Sequence, residues 1–149
     1  MNRIKWVRIL QTAVLVSGMS LAGMVHAHNI AGPIDPAGNV PSFTVVALVT
    51  CFDESNDKLV ANIKDLSPAV DGMFVNLTLF KGGNAISATD PIPGDQGSSP
   101  TITLRGGSGL YYMIINKTKA GTRNVAVDYH CLTENGVHTD TDIRLTTYE

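Results

Sequence analysis

From residue 43 onward apolar residues recur at every second position, and Gly, Pro, Asn and Asp interrupt the runs every eight to twelve residues. That period is the pleat of a strand with one face in a core and one in solvent, and no run carries the spacing of a helix face. Strands are expected near 43–52, 58–66, 73–80, 85–88, 101–105, 110–116, 125–133 and 137–147. The segment 90–100, with three Pro and two Gly, is the longest expected loop. Residues 28–42, rich in Gly, Pro and Asn, read as an extended lead-in to a domain spanning 43–149. Seven or eight short strands without helices to cover a parallel sheet predict an all-β, antiparallel two-sheet sandwich, immunoglobulin-like or jelly-roll.

The last two runs flank Glu134-Asn135-Gly136, which offers Gly where a three-residue hairpin loop needs the left-handed region. That loop pairs Thr133 with Val137 and continues Cys131 to Thr139, Tyr129 to Thr141, Val127 to Ile143 and Val125 to Leu145, with apolar residues sharing one face. A two-residue Asn-Gly turn would set Cys131 against Asp140 and Tyr129 against Asp142, sending charge into the core at a cost of several kcal/mol.

On the other face the accepted register places Leu132 against His138, His130 against Asp140, Asp128 against Asp142 and Ala126 against Arg144. Opposed Cβ atoms lie about 5 Å apart and diagonal ones about 7 Å, so His130, His138 and Asp140 can converge on one divalent ion, with Asp128, Asp142 and Arg144 around them. The same residues also read as the solvated face of an edge hairpin, where charge discourages strand-on-strand aggregation.

The N-terminus changes the picture. Arg3, Lys5 and Arg8 precede an apolar stretch at 9–24 and then Val25-His26-Ala27, the pattern of a signal peptide cleaved after Ala27. Residues 1–27 are thus expected to be removed, leaving no membrane span, and the product is expected to be periplasmic or secreted. Without the three basic residues of that segment the chain holds 8 basic against 13 acidic groups, a net charge of −5 that disfavours nucleic acid. In an oxidising compartment the two cysteines, Cys51 and Cys131, are expected to pair, and no C-x-x-C motif suggests thiol redox chemistry.

Cys51 in an early strand, Cys131 in a penultimate one and Tyr129 two residues before it resemble the inter-sheet disulfide and tyrosine corner of immunoglobulin-like sandwiches. The resemblance implies a structural Tyr129 whose hydroxyl meets backbone. Gly109-Leu110-Tyr111-Tyr112, followed by Lys117-Thr118-Lys119-Ala120-Gly121 and the next strand, resembles the paired strands of pre-peptidase C-terminal-type modules, which are non-catalytic accessories of exported proteins. His28, first after cleavage, resembles the copper brace of exported oxidative polysaccharide enzymes, in which a terminal His binds through amine and ring. That makes His28 a further candidate ligand and copper-dependent oxidation the enzymatic exception.

Tyr111 and Tyr112 point to opposite faces of their strand, one to the core and one to solvent. Gly106-Gly107-Ser108-Gly109 lacks the strand-to-helix setting of a phosphate loop and reads as a flexible turn. No G-x-S-x-G nucleophile elbow occurs. The expectation is an exported, non-catalytic module without a cofactor, binding an envelope or extracellular protein or a copy of itself. The alternative is a periplasmic copper- or zinc-binding protein built on the His/Asp face.

Overall fold

The computed structural model describes residues 28–148, so the expected signal segment 1–27 lies outside the described residues. These residues form no helix and nine strands: β1 (His28–Ile34), β2 (Thr44–Cys51), β3 (Asn56–Asp65), β4 (Val75–Lys81), β5 (Asn84–Thr89), β6 (Ile102–Arg105), β7 (Gly109–Lys117), β8 (Arg123–Thr133) and β9 (Thr141–Tyr148). All pairings are antiparallel. One sheet runs β1-β8-β3-β6 and the other β5-β4-β7-β2-β9. Their inner faces share one core, in which Val49, Leu59, Ile63, Leu77, Met113 and Val127 are fully buried. The disulfide between Cys51 on β2 and Cys131 on β8, with Cα atoms 5.6 Å apart, joins the two sheets.

Two expectations need correction. The first seven residues of the expected lead-in are a strand, β1, paired with β8 from His28 opposite Tyr129 to Ile34 opposite Arg123. Gly32 and Pro33 read as turn residues, but an edge strand tolerates Pro because alternate nitrogens face away from its single neighbour. The last strand, moreover, does not pair with β8. It crosses to the other sheet and pairs with β2, setting Cys51 against Thr141 and Val49 against Ile143. The connectivity therefore departs from the immunoglobulin-like expectation at its final strand. β7 and β8, expected as neighbours in the accessory-module resemblance, lie in different sheets.

Two buried ion pairs tie strand ends, Arg123 to Asp65 between neighbouring strands of one sheet and Lys117 to Asp35 between the two sheets. Arg123 at the start of β8 donates from Nε to Asp65 Oδ2 at 2.8 Å, and its other nitrogens reach the carbonyls of Pro68 and Ser67 at 2.9 and 3.0 Å. Asp65 Oδ1 accepts from the Ser67 N–H at 3.0 Å, so one guanidinium holds the bend after β3. At the same end of the sandwich, where Ile34 pairs with Arg123, Lys117 Nζ donates to Asp35 Oδ2 at 2.7 Å and to the carbonyls of Val40 and Lys119 at 2.7 and 2.8 Å. Asp35 sits at φ 49°, which Asp tolerates better than most residues, and its carboxylate also accepts from the Asn39 and Val40 N–H groups.

Burial acts to raise the pKa of Asp35, but the Lys117 bond and the two backbone donors outweigh it and hold the carboxyl below its ordinary 3.8. A carboxyl whose folded pKa is depressed contributes stability above its unfolded pKa and loses it as pH falls through the folded one. The stability advantage of the native chain over a Lys117→Met variant is therefore expected to be full at neutral pH and to shrink as pH drops below about 3.8. Urea unfolding at stepped pH measures it, and a pH-independent difference would refute the assignment.

Candidate functional site

The three-residue bend forms as its residue types require. Gly136 takes φ 81° and its N–H bonds the Thr133 carbonyl at 3.0 Å. The Thr133 N–H bonds Val137 O at 2.8 Å, the Thr139 N–H bonds Cys131 O at 2.9 Å, and Leu132 bridges His138. Beyond this point the arm leaves β8. Thr139 is buried, its Oγ1 donating to Asn56 Oδ1 at 2.9 Å, and the Asp140 carbonyl accepts from the Phe52 N–H at 3.1 Å, which starts the crossing to β2.

This departure sorts the candidate ligands. His130 and His138 come together, their ring centroids 4.5 Å apart in an edge-to-face arrangement. Asp140 is not brought opposite His130, because the backbone has already turned toward β2. Asp142 and Arg144 lie on β9 in the other sheet, opposite Thr50 and Leu48. Asp128 faces Asn29 and Asn62 instead of a second carboxylate, and Asn29 Nδ2 donates to its Oδ1 at 2.6 Å, so the foreseen repulsion does not arise. Among the described residues no three His, Cys, Asp or Glu side chains converge as one metal-ligating group.

β1 brings a third imidazole, His28, to the core side of the same sheet, because His28 is paired with the buried Tyr129. The His28 ring lies 5.6 Å from that of Tyr129, and the Nδ1 atoms of His28 and His130 are both buried without a hydrogen-bond partner. Burial lowers the pKa of His130 below 6.5, the charges of His138 and His28 lower it further, and Asp128 opposes them. The balance favours the neutral ring, the form that offers a lone pair to a ligand.

Tyr129 is buried, and burial followed by the Asp142 charge raises its pKa. The tyrosine whose hydroxyl meets backbone is Tyr111, which donates to Gly107 O at 2.7 Å. That carbonyl also accepts from Asn56 Nδ2 at 2.9 Å and Lys81 Nζ at 3.3 Å, and the Lys81 ammonium lies 4.1 Å from the Tyr111 ring centroid. The glycine-rich segment after β6 is thus bonded into one end of the sandwich and is not a loose turn.

A second surface was not foreseen. On the outer face of the five-stranded sheet the register lines up Ala85, Phe80, Tyr112, Leu48 and Arg144 in one row, with Ile114 and Val46 in the next. Phe80, Leu110 and Tyr112 stand 37%, 41% and 39% exposed, with the Phe80 and Tyr112 rings 5.9 Å apart. The other sheet presents Lys58, Asn62, Lys64 and Asp128 outward, interspersed with Val60, Ala126 and Leu132. The signal was in the chain: apart from Val60, β3 puts polar residues on its outer face, whereas β2 (TVVALVTC) and β7 (GLYYMIINK) are apolar on both faces through their middles.

At the margin where β1 lies over β9, Ile30, Ile34, Val45, Val125, Val127 and Leu145 line a cavity of about 180 Å³. No family model, curated protein or solved structure matches the chain.

Proposed function

We propose that the protein is an exported, non-catalytic binding or structural module of the cell envelope, and that it meets a protein partner through the outer face of its five-stranded sheet. The observation that carries this reading is the apolar row Ala85, Phe80, Tyr112 and Leu48 across β5, β4, β7 and β2, ending in Arg144 on β9, against a more charged outer face on the other sheet. An antiparallel sheet with one solvated face should be polar outside, and a contiguous exposed apolar patch is a usual mark of a contact surface. The inter-sheet disulfide supports residence outside the reducing cytoplasm. The buried charges Asp35, Asp65, Lys117 and Arg123 are committed to holding strand ends, which supports a scaffold in preference to a reaction centre.

The test places a photo-crosslinking residue at position 112, and separately at Asn62 on the opposite sheet, in cells that export the protein. A discrete protein adduct from position 112 and none from position 62 is expected, lost when Phe80→Asp is added. Sedimentation of the purified chain over a range of concentrations tells a second copy from a different partner. A monomer at every concentration together with no adduct from position 112 would overturn the proposal.

A further inference from the structure

The geometry points to a binding site for a borderline divalent cation, copper or zinc, on the imidazoles of His130 and His138. This site lies on the four-stranded sheet and does not depend on the partner surface described above.

Its origin is a change of neighbour along the margin of β8. Up to Tyr129 that margin is paired by β1, and from Cys131 to Thr133 by the returning arm 137–139. His130 stands at the junction and meets His138 of the arm on the outer face, whereas His28 of β1, paired with the buried Tyr129, lies on the core side of the sheet. The His130 and His138 ring centroids lie 4.5 Å apart, and the buried Nδ1 of His130 has no hydrogen-bond partner. A buried ring nitrogen without a partner is costly, and coordination is one way to satisfy the site.

Imidazole nitrogen suits copper and zinc over the hard ions magnesium and calcium. Metal–nitrogen bonds of about 2.0–2.1 Å require the two rings to turn toward a common point. The Asp128 carboxylate, held by Asn29, lies near enough to act on the charge of His130 and supplies a negative field beside the ion. With no third ligand converging among the described residues, the bound ion keeps open positions for water or for a donor from another molecule.

The experiment is calorimetric titration of the exported, disulfide-bonded protein with copper(II) and with zinc(II), in parallel with melting curves. Saturable one-to-one binding is expected at micromolar protein, with a rise in melting temperature on adding the ion. His130→Ala and His138→Gln should each weaken binding by at least about tenfold, the low end of what even an outer partner of a metal ligand is worth. Asp142→Asn, on the other sheet, should leave binding unchanged. His138 is half-buried on the arm, and the melting curve of each variant without metal serves as the folding control. Binding seen only at millimolar ion, or binding that persists in both His variants, would overturn the site while leaving the crosslinking result at position 112 untouched.

Discussion

Replacing Cys51 and Cys131 together by Ala is expected to lower the free energy of unfolding by about 4 to 5 kcal/mol, the chain-entropy value for a cross-link of this span. The bond closes a sequence separation of 80 residues and joins β2 to β8 across the core, so its loss releases most of the chain in the unfolded state. Single domains keep a net stability of only about 5–15 kcal/mol, which makes this a large fraction of the total. Urea unfolding of native and double-variant protein measures it, with a larger urea slope expected in the variant because its denatured ensemble is more expanded. A loss under about 1 kcal/mol would mean that the unfolded chain is already confined by other contacts, against the chain-entropy account.

Arg123→Met is expected to cost about 3 to 5 kcal/mol, because it strands the fully buried Asp65 carboxylate without its cation. The same change frees the carbonyls of Ser67 and Pro68 that the guanidinium now satisfies. The double variant Asp65→Leu/Arg123→Met should recover part of the loss, since removing both charges is far less costly than removing one. Recovery would remain incomplete, because the bend after β3 still lacks donors for its carbonyls. A double-mutant cycle by urea unfolding checks this, and strictly additive losses would show that the two side chains are not coupled.

Alternation along the chain was enough to place β2 to β8, because a period of two dictates which residues face inward and turn residues mark where each run stops. It could not place β1, where Asn29, Gly32 and Pro33 resemble turn chemistry. Only the pairing of that strand with β8 reveals why they are tolerated. Nor could alternation choose a neighbour for β9. Ile143 faces the core whether its strand lies beside β8 or beside β2, so parity is satisfied either way. What decides is the burial of Thr139 against Asn56 and the bond from Phe52 to Asp140, contacts between residues far apart in sequence.

The candidate site followed the same division. The approach of His130 to His138 depends on a local bend whose residue types announce it, and it was legible. The place of Asp140, Asp142 and Arg144 depends on where the arm goes next, and it was not. His28 was proposed from its position after a cleavage motif, whereas its nearness to His130 comes from β1, a strand hidden in the apparent lead-in. The apolar outer face was legible in β2 and β7, whose middle residues are apolar at consecutive positions. A reading that seeks only alternation passes over it.

The position of the sulfur bridge also sets how the molecule answers to tension. β1 and β9 lie wholly outside the covalent ring closed by Cys51 and Cys131, and they occupy the same margin of the two sheets. A pull applied at the two ends of the described chain can strip those strands and most of β2, and then the force passes through the bridge. Residues 52–130 are spared extension, so a stretched copy keeps a shortened tether instead of unravelling.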